Sequence, residues 1–533
     1  MLTASSSEHQ ASFFDVDYLC ATLIPPESYY RQFRQLVWPL LKDEDFAALY
    51  CQDNGRPPIP PRLLAMALLL QFHQDLSDRE MERACMYDLE VKYALGLRLD
   101  ERPFDHSSLG DFRARLLAHG KEKLLFDAIL QKLVDERLIA KDEIQRIDAT
   151  HILADVAIPT MVQLVKKGIY HVLKALKGQH PAVYQTLSQA IDLRGYTRET
   201  VNQVTDGRPN EARRTQKLVE VVHDARVVLQ HTAGLSASPS LRRRIVLLQR
   251  ILHEHLEADA QGVPKEKEKT QKPPDLLVSP VDEDARYGMK SETKRFIGYK
   301  ANLTETVTSR FITNVEPMRG NQRDGDTTVE AVEDQHAVGL HPPKLIGDAA
   351  YSDGAYRKVL QTYGTQLVAP LRARNTRTRA VYPKSMFRYD PVHQTVTCPQ
   401  GVTTRESYAD HRHGLRTFHF PRTVCKVCVV RDKCTNAKEG RRTIGISPSH
   451  QDLLDAEAYN RTDAFKADMR LRPVIEGTHS EMKRYHGLRR ARYRGLRKVA
   501  LQCYFTAAVV NIKRWIKRLL EKIRPIPAIQ MAF

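Results

Sequence analysis

The sequence predicts an α/β chain: an all-helical N-terminal unit, then a mixed sheet whose first strand is followed by a long helical insertion. Three observations predict it. Apolar residues recur at helical spacing through roughly the first 140 positions; strand-like runs begin at Ile144; and such runs return only after Asp282, beyond a largely helical stretch. At 533 residues the chain exceeds one ordinary core, and 42% apolar content suffices to build several packed units.

In the N-terminal unit, residues 1–140, Tyr29 to Leu49 and Pro61 to Phe72 read as helices, with Pro57, Pro58, Pro60 and Pro61 punctuating the gap. DLSDREMERACMYDLEVKYALGL offers two shorter helices. In FDHSSLGDFRARLLAHG, Ser108 and Asp111 resemble a capping box, with Phe112, Leu116 and Leu117 on one side and Arg113 and Arg115 near the other. Such a cluster suits either duplex DNA or dimerisation.

Residues 141–533 form the second unit. EIQRIDATHILADVAI places Asp148 in a strand between Ile147 and Ala149. A helical insertion follows, about 160–280, and its charged, Pro-rich end from Asp259 to Asp282 reads as a linker or exposed loop. FIGYKANLTET and SRFITNVEPMRG read as strands, TTVEAVEDQHAVG as a helix, KLIGDAAY as a strand ending at Asp348, and TQLVAPLRA as another. A second insertion, about 380–455, carries cysteines.

Lys plus Arg outnumber Asp plus Glu by 82 to 64, and from Ser480 to Arg524 fourteen basic residues face two Glu. That block suits a polyanion, or it keeps the surface soluble. The start MLTASSSEHQ lacks a basic-then-apolar leader, and no run of eighteen uncharged apolar residues follows, which disfavours secretion and membrane spanning. The eight cysteines form no disulfide scaffold. Cys20, Cys51, Cys85 and Cys503 read as small core residues. Cys398, Cys425, Cys428 and Cys434, spaced C-x26-C-x2-C-x5-C, could hold a structural Zn²⁺ or remain free thiols.

Metal-dependent phosphodiester chemistry needs convergent carboxylates, because hard divalent ions want oxygen ligands. Asp148 and Asp348 stand inside apolar segments, where an unpartnered carboxylate is costly, although Asp348 could equally buttress a turn. In RLRPVIEGTHSEMKRYHG, Glu476 and Lys483 lie two helical turns apart, a spacing also common on solvent-facing helices. Pro473 marks a helix start, which puts Arg472 at its cap and leaves open whether Arg472 shares a face with Glu476. Gly477 is either tolerated near that start or leaves space for a phosphate backbone.

RIDATHILAD, LIGDAAYSDGAY and RPVIEGTHSEMK resemble the catalytic stretches of bacterial insertion-sequence transposases of the DDE superfamily, which have an RNase H-like core. That family places a Tyr, an Arg three later, a Glu four after that and a Lys seven further on. Arg472, Glu476 and Lys483 match, while Met469 stands at the Tyr position. The stretch from about Gly55 to Leu116 resembles the family's accessory domain. The resemblance implies Asp148, Asp348 and Glu476, separated by 200 and 128 residues, as ligands of Mg²⁺ or Mn²⁺. It implies strand cleavage at element ends, then transfer of the exposed 3′-hydroxyl into target DNA, by a cytoplasmic, nucleoid-associated homodimer. Tyr351, Arg472 and Lys483 would position DNA. Arg489, Arg490, Arg492, Arg494, Arg497 and Lys498, between and around Gly487 and Gly495, suit phosphate contacts. A catalytically inactive DNA-binding regulator, or a metal-dependent nuclease without strand transfer, remain the alternatives.

Overall fold

The computed structural model describes residues 14–20, 22–50, 58–156, 159–201, 211–290, 293–371, 382–411, 414–438 and 440–523. Cys51, Pro57 and the start of the accessory-domain stretch lie outside them.

The N-terminal helices include Tyr29–Val37, Pro61–Gln74, Asp78–Tyr87, Leu89–Leu95, His106–Ala118 and Leu124–Asp135. Pro61 stands at the first turn of its helix, where its missing N–H costs nothing. Every residue from Leu63 to Phe72 in that helix is buried, so it runs through the centre of the unit rather than along its surface. It packs against the long C-terminal helix Leu496–Ile523, with the Phe72 and Phe505 rings stacked 5.3 Å apart. One hydrophobic core therefore joins the first helices, the last helix and one face of the sheet. The helix cap expected at Ser108 is elsewhere: Asp105 accepts the Ser107 N–H, and Ser108 lies inside the helix.

The core sheet runs Ile312–Arg319, Arg295–Thr306, Gln145–Leu153, Lys344–Ile346, Gln366–Val368 from edge to edge. The first three strands pair antiparallel and the last two continue parallel. Three strands in meander followed by two in crossover is the RNase H-like arrangement. The short strand Arg286–Met289 pairs additionally with the beginning of Arg295–Thr306.

Between the first and second of these core strands in sequence stand the helices Met161–Gln179, Pro181–Ala190, Glu211–Thr232 and Pro239–His255, with a core of their own. The segment read as a linker or exposed loop is exposed along much of its length but is tied to the body at particular residues. It forms the hairpin Leu256–Ala258 with Pro264–Glu266, and Asp275 accepts from Arg286 Nε at 2.6 Å. Asp282 is buried and accepts the Tyr299 hydroxyl proton. Asp275 and Asp282 are thus partners of the sheet, while Lys265, Glu266, Glu268 and Lys269 are exposed. Residues 388–446 add two small three-stranded sheets around a separate core.

Candidate active site

Asp148 lies mid-strand at the centre of the sheet, and Asp348 lies two residues beyond the end of the adjacent parallel strand. Asp348 takes up the turn geometry its sequence suggests: its Oδ1 accepts the Ala350 N–H at 2.7 Å and caps the short turn Ala349–Tyr351. Its other oxygen faces elsewhere. Arg472 Nη2 lies 3.7 Å from Asp348 Oδ2 and 3.4 Å from Asp148 Oδ1. Two carboxylates remote in sequence thus converge on one positive nitrogen. Burial pushes the Asp148 carboxyl up to about 6, with Arg472 opposing and Asp348 and Asp324 adding to the rise.

Arg472 does not merely cap a new helix. Residues Asp463–Leu471, the tighter turn Arg472–Val474 and Ile475–Tyr485 follow one another without leaving helical backbone angles. Pro473 tightens the helix without ending it. Arg472, Glu476, His479 and Lys483 therefore share a face. Arg472 meets Asp148 as above, and His479 Nδ1 stands 4.0 Å from Asp148 Oδ2. Glu476 sits between these two along that face, on a helix packed against the Asp148 strand. It is exposed, and a Cβ at neighbouring Gly477 would meet open space.

Sequence reasoning missed what holds this helix. Arg146, two residues before Asp148, faces Glu305 directly across the sheet, and both are fully buried. Arg146 donates to Glu305 through Nε at 3.1 Å and to the Leu471 carbonyl at 2.9 Å, just ahead of Arg472. Thr478 donates to the other Glu305 oxygen, which also accepts from Arg514 at 3.0 Å. Arg514 in turn reaches Thr478 at 2.7 Å. A buried carboxylate with so many charge-assisted partners fixes strand, helix and C-terminal helix together.

Tyr351, expected at the DNA, is wholly buried, and its hydroxyl donates to Asn302 Oδ1 at 2.7 Å. Asn302 also donates to the Asp324 carbonyl and to Thr327, so Tyr351 braces the loops bearing Asp348 and Asp324 from behind. Gly347 is small for the same reason: a Cβ there would come 2.9 Å from the Tyr351 ring. Ser352 donates to the Ala349 carbonyl, and Asp353 caps the helix that follows.

The basic segment continues from the Asp148 strand. Leu153 accepts from the Ala491 N–H at 2.8 Å and donates to the Arg489 carbonyl at 3.1 Å, which sets Arg489 and Arg490, both exposed, at the strand's end. Lys483 Nζ lies 3.5 Å from His151 Nδ1. Burial brings Lys483 down to about 8, and Lys290 and Arg489 push the same way; His151 falls to about 4 for like reasons. A cation cluster of this kind is a seat for anions. Arg494, Arg497 and Lys498 are exposed, with Arg494 3.6 Å from Asp155 and Arg497 3.1 Å from Glu122. Arg492 is different. It pairs with Asp75, donates to the Leu76 carbonyl at 2.7 Å and lies over the Phe72 ring, so it ties the N-terminal unit to this segment. Gly487, at φ +68°, passes so close to Asp75 that a Cβ would clash with its carboxylate.

Two family models match the chain. One, described as a transposase DDE domain, covers residues 397–516; the other, described as a transposase domain (DUF772), covers residues 20–115. Residues 397–516 are therefore similar to a transposase DDE domain, and residues 20–115 to a second kind of transposase domain. The first match takes in Glu476 and most of the C-terminal helix, and the second the helices from Tyr29–Val37 into His106–Ala118. No curated protein and no solved structure gives a significant match.

Divalent metal is the general requirement of this domain type; Asp148, Asp348 and Glu476 do not form a group of three ligand atoms within 4.8 Å of one another, and it is the two aspartates that the structure brings together. Asp148 and Asp348 supply hard oxygens and already converge on a single cationic nitrogen. Another group of close ligand-type atoms, Glu82, Asp105 and His106, belongs to a helix start: Glu82 accepts the His106 N–H and faces Arg102, and Asp105 is the cap. Among the described residues no helix is long and apolar enough to cross a membrane.

Proposed function

We propose that the protein is an active DNA transposase that cleaves at insertion-sequence ends and joins the freed 3′-hydroxyl to target DNA. The observation that carries this is the convergence of Asp148, Asp348 and Arg472 at the centre of an RNase H-like sheet, with Glu476 on the helical face between Arg472 and His479. Asp148, Asp348 and Glu476 would hold Mg²⁺ or Mn²⁺. When bound, such ions lower the pKa of water or hydroxyl nucleophiles and offset charge on the transferring phosphoryl group.

The chain's own groups do the rest. Lys483, Lys290, Arg489 and Arg490 draw the phosphate backbone to the end of the Asp148 strand, and Arg494, Arg497 and Lys498 extend that surface. Arg472 holds the two aspartates on a common centre and is placed to turn toward a phosphate. The buried Arg146–Glu305–Thr478 links keep the Glu476 helix in register with Asp148. Two ends must be joined, so the working form is a dimer in the bacterial cytoplasm.

The test incubates purified protein with labelled element ends and a target plasmid in Mg²⁺. Joined products support the transposase. Cleavage without joining selects a nuclease, and a shifted but intact substrate selects a DNA-binding regulator.

A further inference from the structure

The small unit between residues 382 and 446 has a core of six buried side chains, Phe387, Val396, Phe418, Phe420, Ile444 and Ile446. So thin a core is below what normally sustains a separate unit without a staple. Cys398, Cys425 and Cys434 pack against it, and all four cysteines of the cluster line one cavity of about 290 Å³ whose remaining wall is chiefly apolar. None is in a disulfide.

The backbone presents the cysteines from two sides. Cys398 begins the turn of a hairpin: its N–H donates to the Val402 carbonyl at 2.8 Å, and its carbonyl accepts the Gly401 N–H at 2.9 Å. Opposite, Cys425 lies in the helix Arg422–Lys426, and its carbonyl accepts the Cys428 N–H. Cys428 in turn accepts the Arg431 N–H at 3.0 Å, and Cys434 closes the helix Arg431–Cys434. The four cysteines do not form a group of three sulfurs within 4.8 Å. A tetrahedral ion with Zn–S distances of about 2.3 Å would draw them closer by side-chain rotation and contraction of the cavity.

We propose that Cys398, Cys425, Cys428 and Cys434 bind one structural Zn²⁺ as four thiolates, tying the hairpin to the two short helices. On binding, each thiol gives its proton to solvent, and no redox change occurs. An apolar cavity with four soft sulfur donors suits zinc and is a poor site for Mg²⁺.

The experiment uses the full chain purified without a metal-affinity tag. Elemental analysis should find about one zinc per chain, falling at least about fivefold in Cys425→Ser/Cys428→Ser and staying unchanged in Glu82→Gln. Cobalt in place of zinc should give the intense visible bands of tetrahedral thiolate coordination, so the wild-type protein decides the matter even where the double variant fails to fold. Folded wild-type protein without zinc and without those bands overturns the site, as does full zinc content in a folded double variant. The readout uses no DNA, so it stands apart from the test of transposition.

Discussion

Thr478, on the helix that carries Glu476, donates its hydroxyl proton to the buried carboxylate of Glu305, three strand residues from the Asn302 that holds Tyr351. The strand Arg295–Thr306 therefore reaches both the Glu476 helix and, through Tyr351, the Asp348 turn. Thr478→Val keeps the shape and removes the link. Strand cleavage at saturating DNA should fall about ten- to a hundredfold, because a small misplacement of a reacting group is costly, while DNA affinity holds. Thr478→Ser should restore the rate. Equal rates for Val and wild type, or failure of Ser to rescue, would sink the positioning role.

Arg492→Ala should loosen the N-terminal unit rather than weaken DNA binding. It removes the Asp75 pair, the Leu76 hydrogen bond and the stacking over Phe72, and its side chain is only 18% exposed. A loss of about 1–3 kcal/mol is expected, read as a lower midpoint in denaturant, with the salt dependence of DNA binding unchanged. An unaltered midpoint with a shallower salt slope would return Arg492 to the DNA surface.

Neutralising Arg490 and Arg494 together should lower affinity for specific and random duplexes by similar factors and reduce the salt slope by up to about two units. Loss confined to element ends, with the slope unchanged, would mean that these residues read bases.

Much of this was legible in the sequence for identifiable reasons. The strands and the helical insertion follow from periodicity, and Asp148 and Asp348 stood out because each interrupts an apolar run. Direction was not legible. Nothing local says that Tyr351 turns inward to Asn302, or that Gly347 is small because that ring lies on it. The Arg146–Glu305 pair joins residues 159 positions apart and depends on strand register, which sequence alone leaves open. Pro473 suggested a helix start and thereby hid the continuous face shared by Arg472 and Glu476.

Tyr351→Phe should cost about 1–3 kcal/mol, since it leaves the buried Asn302 oxygen unsatisfied, and should leave DNA affinity unchanged. Weaker DNA binding at full stability would contradict the bracing role.

The central claim is that Asp348 acts on the reacting phosphate through bound metal rather than only capping its turn. Asp348→Asn retains an oxygen able to accept the Ala350 N–H and removes the charge facing Arg472. The deciding measurement is cleavage and joining of labelled element ends by this variant in Mg²⁺, alongside its melting curve and DNA affinity. The expected result is a folded protein that binds DNA and loses both reactions by at least about a hundredfold. Near-normal cleavage, or loss only through unfolding, would contradict the claim and leave Asp348 as a turn cap.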